Sequence, residues 1–116
     1  MLEKPSFIQG LFAYEGRGLE NPIPFDPPAA YVVPSDKRAQ TIYFRAGNAA
    51  AEMVYLVLTR NGAPMRYFPA GAKGAIHVPL AVVEDLPPES RIEVLVAAPE
   101  GLRSSVVVDV GFMEIA

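Results

Sequence analysis

Apolar and polar residues alternate along several short runs of this chain. A period of two residues is typical of β-strands that bury one face, because successive side chains point to opposite sides. The pattern is clearest at residues 75–82, 91–98 and 104–115. The last two runs are predicted to pair as a terminal hairpin, with Gly111 at a bulge. The positions predicted to face a core are Ile76, Val78, Leu80, Val82, Ile92, Val94, Val96, Ala98, Val106, Val108, Val110 and Phe112.

A tight turn is predicted inside the stretch MVYLVLTRNGAPMRYF, residues 53–68. Asn61-Gly62 supplies the positive φ angles of a type I′ turn, which joins the flanking runs as a hairpin. Pro64 follows the turn and cannot donate to a sheet ladder. The second arm, Met65–Phe68, is therefore predicted at a sheet edge. The first arm is apolar on both sides and is predicted to be central.

The first part of the chain is less regular. In the segment around Phe44, alternation places Ile42 on the same face as Phe44, with Tyr43 and Arg45 on the opposite face. The alanine-rich segment that follows is too short to form a stable helix by itself. Strands are predicted at residues 6–15, 29–34 and 39–47, and a proline-rich loop that crosses between sheets at residues 16–28.

Seven or eight short strands in about a hundred residues predict an all-β fold, an antiparallel two-sheet β-sandwich of immunoglobulin- or fibronectin-like architecture. One domain over residues 1–116 is expected. The stretch DLPPESRIEVLV, residues 85–96, resembles the E–F corner of fibronectin-type domains, where a leucine and a proline precede a strand. The tyrosine expected after that corner is absent. A small closed β-barrel is the alternative, because strand spacing alone does not separate the two folds.

Composition narrows the range of functions. The chain of 116 residues has no cysteine, which excludes disulfides, zinc–thiolate sites and thiol nucleophiles. Its net charge is −3 and its basic residues are scattered, whereas a nucleic-acid partner requires a clustered basic face. The first residues lack the features of a signal peptide, and no run approaches the roughly 18 apolar residues of a membrane span. A cytoplasmic protein without a cofactor is predicted, and an exported form whose signal has been removed stays open.

His77 is the only histidine, and it lies in an alternating run. Alternation places its side chain opposite Ile76 and Val78, outside the core. A serine–histidine–acid triad would have to use this histidine, and no GxSxG motif accompanies it. One imidazole without a thiolate is also a weak metal site, so neither a catalytic residue nor a metal site is predicted. The residues predicted to contact a ligand, if one binds, are Arg45, Arg66, Tyr67, Lys73 and His77.

Outward apolar positions carry the functional prediction. If the strands at residues 53–60, 91–98 and 104–115 are neighbours, their outward side chains form a contiguous apolar patch, which usually marks a contact surface. The sequence therefore predicts a non-catalytic interaction or assembly module, whose simplest partner is a copy of itself. A small-ligand or carbohydrate-binding module that uses tyrosines is the alternative, and an enzyme that uses His77 has the least support. The predicted interface residues are Tyr55, Val57, Leu95, Val107 and Met113.

Overall fold

Strands connected by turns make up this protein, as the two-residue period predicts. The computed structural model describes residues 3–80 and 84–116. These residues contain nine strands and no helix, so in this part of the chain no helix is long and apolar enough to cross a membrane. The strands are β1 (Glu3–Glu15), β2 (Ile23–Val32), β3 (Arg38–Asn48), β4 (Val54–Arg60), β5 (Ala63–Ala70), β6 (Ala75–Pro79), β7 (Asp85–Leu86), β8 (Arg91–Ala97) and β9 (Arg103–Ile115).

The strands form two antiparallel sheets. Sheet 1 has the order β1-β9-β3-β6, and β7 also pairs with β3. Sheet 2 has the order β2-β8-β4-β5. Over the described ranges the sheets lie face to face as separate layers and do not close into a barrel. The predicted antiparallel two-sheet β-sandwich is therefore confirmed.

The chain crosses repeatedly between the two sheets. β1, β3 and β9 lie in sheet 1, whereas β2, β4 and β8 lie in sheet 2. This wiring is that of a jelly roll. The first two strands of an immunoglobulin fold share one sheet, whereas β1 and β2 here lie in opposite sheets. The immunoglobulin-like detail of the prediction is therefore not confirmed.

The predicted terminal hairpin is wrong. β8 pairs with β2 and β4 in sheet 2, and β9 pairs with β1 and β3 in sheet 1. The chain crosses between the sheets at residues 98–102, where Gly18 N–H donates to Ala98 O and Gly16 N–H donates to Leu102 O. The alternation identifies the buried face of each strand, but it does not specify which sheet the strand joins.

Inward side chains from both sheets fill the space between them. Every inward position predicted for residues 91–98 and 104–115 is buried. Burying one such aliphatic side chain stabilises the fold by roughly 1.5–3 kcal/mol. Aromatic pairs also join the two sheets, with ring centroids 3.9 Å apart for Phe44 and Phe68, 4.9 Å for Phe12 and Phe25, and 4.5 Å for Tyr31 and Phe112.

The run at residues 75–82 follows the prediction in part. Ile76, Val78 and Leu80 are partly buried against the core. β6 ends at Pro79, and Val82 lies outside the described residues. The edge position of β6 in sheet 1 explains why its inward side chains are only partly covered.

The predicted turn between β4 and β5 is confirmed. Asn61 and Gly62 have φ angles of 50° and 85°, the positive values that a type I′ turn requires. β5 lies at the edge of sheet 2, as Pro64 predicts, and β4 is central.

The bulge predicted at Gly111 lies instead on the neighbouring strand. The β3–β9 register shifts between Thr41 and Tyr43, which makes Ile42 the extra residue. Ile42 is exposed, so the prediction that it shares the inward face with Phe44 is wrong. An inserted residue reverses the parity of a strand, and a period of two cannot reveal it.

Candidate functional site

Apolar side chains cover the outer face of sheet 2. Val57 on β4 lies directly between Leu95 on β8 and Tyr67 on β5. In the next row, Tyr55 lies opposite Pro69. Because adjacent strands are about 4.8 Å apart, these side chains form one continuous surface. We call it the sheet 2 outer face, defined by Tyr55, Val57, Tyr67, Pro69 and Leu95.

The exposed area of this face is concentrated at its edge. Tyr67 is 62% exposed, whereas Tyr55 and Leu95 are half-buried. Val57 points outward between Tyr67 and Leu95 but is only 1% exposed. Val57 is therefore buried beneath this surface, and Tyr67 is the side chain that is most available for contact.

The predicted interface residues are divided between the two sheets. Tyr55, Val57 and Leu95 lie together, because β4 and β8 are neighbours as expected. Val107 and Met113 lie on β9 in sheet 1. The expectation that residues 104–115 adjoin the other two strands is wrong, since β9 crosses to the opposite sheet. An interface role for these five residues stays a prediction.

A row of polar side chains crosses the outer face of sheet 1. β1, β9, β3 and β6 each contribute one residue, and each residue lies directly opposite the next in the strand register. Gln9 Nε2 donates to Asp109 Oδ1 over 3.2 Å, and Arg45 Nη1 lies 3.8 Å from Asp109 Oδ2. His77 is exposed at the end of the row, as alternation predicts. We call Gln9, Asp109, Arg45 and His77 the polar row.

Tyr43 fixes the geometry of the polar row. Its hydroxyl donates to Asp109 Oδ1 over 2.8 Å, and the Arg45 guanidinium lies 5.2 Å from its ring centroid. The ring also meets His77 edge-on at 6.1 Å between centroids, and it occupies the space above Gly111 where any Cβ would overlap it. Burial, and then the contact with Asp109, raises the pKa of the Tyr43 hydroxyl. The phenol therefore stays protonated and remains a hydrogen-bond donor.

A shallow cavity of about 450 Å3 lies beside the polar row. Gly47 and Ala75, whose side chains are absent or small, form its floor. Val107 lines it from the same row, and Arg45, His77 and Asp109 line it from the neighbouring polar row. Such a cavity can exchange hydrogen bonds with a small ligand and cover an apolar part of it. The strand that carries Arg45 separates His77 from Asp109, so the imidazole and the carboxylate are not paired.

The structure brings two of the predicted ligand residues together and separates the others. Arg45 and His77 are direct cross-strand partners. Arg66 and Tyr67 lie on β5 in sheet 2, and Lys73 lies in the turn between β5 and β6. Arg45 and His77 therefore belong to one candidate site that does not include the other three.

Sequence reasoning missed two members of the polar row. Asp109 interrupts an apolar run in the sequence, and Gln9 lies in the irregular first part of the chain. Both reach Arg45 only through the pairing of β1 with β9 and of β9 with β3. No local signal in the sequence specifies that pairing.

A buried carboxylate joins strands of both sheets. Glu114 is 4% exposed and accepts hydrogen bonds from Ser6 Oγ at 2.7 Å and Tyr31 Oη at 2.5 Å. Lys37 Nζ lies 3.6 Å from its other oxygen. The hydrogen bond from Tyr31 is the main cause of the lowered pKa of Glu114. These contacts satisfy the charge within the fold, so we assign Glu114 to structure.

Metal-binding side chains do not converge in residues 3–80 and 84–116. No group of three histidine, aspartate or glutamate side chains in these ranges is placed to hold a metal ion.

Comparison with known proteins supports the fold. No protein-family model matches the chain, and no curated protein matches it. A chain in the structure of infectious bursal disease virus, Gx strain, is similar over 98% of this chain and 33% of its own length, with a TM-score of 0.55 and 9% identity. An exo-β-1,3-galactanase from Phanerochaete chrysosporium, solved with galactose, covers 99% of this chain and 30% of its own length, with a TM-score of 0.42 and 10% identity.

This chain therefore spans about a third of the length of each of these two proteins. At 9% identity the viral similarity supports the β-sandwich fold alone. The galactanase similarity is too weak to carry an argument.

Proposed function

We propose that this protein is a non-catalytic assembly module that associates with a copy of itself through the sheet 2 outer face. The observation that carries the proposal is the continuous row Leu95–Val57–Tyr67, which ends in a tyrosine that is 62% exposed. A tyrosine on a flat apolar surface supplies a large contact area at low entropic cost, and tyrosines are enriched among residues that dominate interfaces.

The charge distribution is compatible with a copy of the same chain as the partner. Two copies each carry a net charge of −3 and repel one another weakly. The five residues of the sheet 2 outer face are uncharged, and Glu93 at its margin pairs with Arg91 at 3.3 Å. A copy can therefore approach this face without burying an unpaired charge.

A two-fold axis along β4 gives a self-complementary arrangement. Two sheets pack face to face with their strands nearly aligned, about 10 Å apart. Rotation about this axis places Tyr67 of each copy over Leu95 of the other, with the buried Val57 of each copy beneath the contact. The same patch then serves on both sides, as a symmetric dimer requires.

Tyr67→Lys tests this interface. Replacing an exposed anchor by a charge is expected to cost about 2 kcal/mol of association free energy, or roughly 30-fold in Kd. Sedimentation velocity over a concentration series is expected to show a lower weight-average mass for Tyr67→Lys than for the wild type. Tyr67→Phe keeps the apolar ring and is expected to associate like the wild type.

Leu19→Lys is the matched control. Leu19 is also an exposed apolar residue, but it lies in the turn between β1 and β2. Its replacement by lysine is expected to leave the mass unchanged. An equal mass for wild type and Tyr67→Lys at every concentration rules out this interface.

Binding of a small polar ligand at the polar row is the second candidate function. The observation that favours it is the fixed position of Arg45, which lies over Tyr43 and beside Asp109 at the wall of the cavity. A guanidinium and a carboxylate held side by side can donate to and accept from neighbouring hydroxyl groups, as in a sugar.

Heteronuclear NMR with millimolar galactose, glucose and glycerol tests this function. We expect a sugar to shift the amide signals of Gly47 and Ala75, which form the cavity floor, and Arg45→Ala to abolish the shifts. Shifts that persist in Arg45→Ala, or an absence of shifts with all three compounds, would remove support for a sugar site there.

A further inference from the structure

β1 is a long edge strand with an exposed apolar side. Within the described residues it pairs with β9 alone. Leu11 is 70% exposed and Phe7 is nearly half exposed. Both lie on the outer face of sheet 1, on either side of Gln9.

The main-chain groups of the odd-numbered residues of β1 point away from β9. Gly16 N–H donates to Leu102 O, and these two residues continue the β1–β9 register, in which Glu15 lies opposite Arg103. Backbone groups in an antiparallel ladder alternate between the two sides of a strand. Because the register has no shift from Glu3 to Glu15, the N–H and C=O groups of Phe7, Gln9 and Leu11 are directed to the free edge.

Within the part of the chain that the structure describes, this edge lacks the protection that is usual for edge strands. Edge strands in soluble proteins are commonly short, bulged, or interrupted by charges or prolines. β1 has 13 residues and no bulge. Lys4 and Pro5 occur at one end, and residues 6–14 contain neither a charged residue nor a proline. The middle of β1 therefore offers both main-chain hydrogen-bonding groups and apolar side chains to another strand.

We propose that two copies of this chain pair antiparallel through β1, with Gln9 of one copy opposite Gln9 of the second copy. This register places Phe7 of each copy opposite Leu11 of the other. It joins sheet 1 of both copies into one continuous sheet. The contact lies on a different sheet from the sheet 2 outer face, so it does not depend on the proposed function.

Side-chain pairing selects this register over its neighbours. A shift by one residue would place outward side chains opposite inward ones. Registers centred one residue before or after Gln9 keep the faces aligned, but each places Phe7 or Leu11 opposite the polar Gln9. The register centred on Gln9 also overlaps the whole strand, because Glu3 and Glu15 are equidistant from it.

Charges at the strand ends are compatible with the pairing. Glu15 forms ion pairs with Arg17 at 2.9 Å and with Arg103 at 3.2 Å. In the dimer, Glu3 of the second copy lies opposite Glu15. Two arginines therefore face two carboxylates at each end.

The absence of cysteine allows a direct test by cross-linking. Directly opposed residues that exchange hydrogen bonds have Cα atoms about 5.5 Å apart, which suits a disulfide. Gln9→Cys under mild oxidation is expected to form a disulfide-linked dimer. Ala13→Cys lies on the same face of the same strand, but it faces Pro5 of the second copy, so it is expected to remain largely monomeric.

Charge complementation supplies an independent test on the same chain. In the dimer, Phe7→Lys places a lysine of each copy opposite Leu11 of the other. It is expected to weaken edge association about tenfold. Adding Leu11→Glu to Phe7→Lys places opposite charges across both contacts and is expected to restore association. Thermal unfolding of each variant checks that it is folded.

Three results would overturn the proposal. The first is equal cross-linking of Gln9→Cys and Ala13→Cys, and the second is association of the double variant no better than that of Phe7→Lys. The third is that a synthetic peptide of residues 3–15 protects the β1 amides from hydrogen exchange while whole chains do not cross-link. That result would assign the edge to a free extended segment.

Discussion

Gly111 shows how one missing side chain organises the outer face of sheet 1. The Tyr43 ring lies over Gly111, and from there its hydroxyl reaches Asp109 and its face supports Arg45. Gly47, on the same face of the same sheet, has no such neighbour, since a Cβ there would make only an ordinary contact with Val107 at 3.8 Å.

Gly111→Ala is expected to displace the Tyr43 ring and to lower the free energy of unfolding by about 1–3 kcal/mol. The displaced ring would also lose its hydrogen bond to Asp109. Gly47→Ala is the matched control and is expected to change stability little. Urea denaturation of both variants and the wild type measures the difference, and equal effects of the two substitutions would contradict this account of Gly111.

Glu114 makes stability depend on pH. Its pKa is lowered in the folded state, chiefly by the hydrogen bond from Tyr31, so ionised Glu114 favours the folded state. That contribution is fully present above the ordinary pKa of 4.5 and is lost as the pH falls through the lowered folded-state value.

Glu114→Gln is expected to lower the free energy of unfolding near pH 7 by about 1–3 kcal/mol, because a charge-assisted hydrogen bond is weakened. The stability difference from the wild type is expected to shrink as the pH falls below about 4.5. Comparing the two proteins at the same pH cancels the contribution that other carboxylates make to the free energy of unfolding. A difference that stays constant from pH 7 to pH 3 would show that the charge of Glu114 does not matter.

At the scale of elements, features encoded by a few neighbouring residues could be predicted from the sequence. Features that depend on the pairing of distant strands could not. The β4–β5 hairpin was predictable because Asn61-Gly62 encodes its turn within two residues. The partners of β9 were not predictable, since β1 lies about a hundred residues away in the sequence and alternation carries no information about neighbours. The wrong prediction of the face on which Ile42 lies has a similar origin, because the bulge depends on the pairing of β3 with β9.

The turn itself can be tested with two glycines. Neither Gly62 nor Gly71 has an atom within 4 Å of the place a Cβ would occupy, but only Gly62 has a positive φ. Gly62→Ala is therefore expected to cost about 1 kcal/mol of stability through backbone strain alone. Gly71→Ala is expected to be neutral, as judged by thermal unfolding. A neutral Gly62→Ala would mean that the turn relaxes without cost.

At the scale of the whole molecule, the alternation of the chain between two sheets explains why the candidate sites were only partly predictable. The outward positions were assigned correctly for Tyr55, Val57, Leu95 and His77, because each lies in a regular strand. Their grouping into surfaces required the strand order, which placed Val107 and Met113 on the opposite side of the molecule.

The two proposed contacts lie on different sheets, and together they predict an open assembly. A chain that uses both two-fold contacts joins one copy through β1 and another through the sheet 2 outer face. The wild type is then expected to exceed a dimer at high concentration, whereas at the same concentration Phe7→Lys and Tyr67→Lys are each expected to shift the assembly toward a dimer. The combination of Phe7→Lys and Tyr67→Lys is expected to be monomeric, by light scattering after size exclusion. A combined variant that associates as strongly as either single variant would show that a third surface is involved.

The pairing of β1 with β9 has a consequence for the connectivity of the fold. Glu3 lies directly opposite Ile115, so a short linker could join the two ends of this ladder. The chain could then be opened between Asn61 and Gly62, at an exposed turn. Such a circular permutant would retain all the strands in their places, and its folding would show that the jelly roll is specified by strand contacts rather than by the order in which the strands are synthesised.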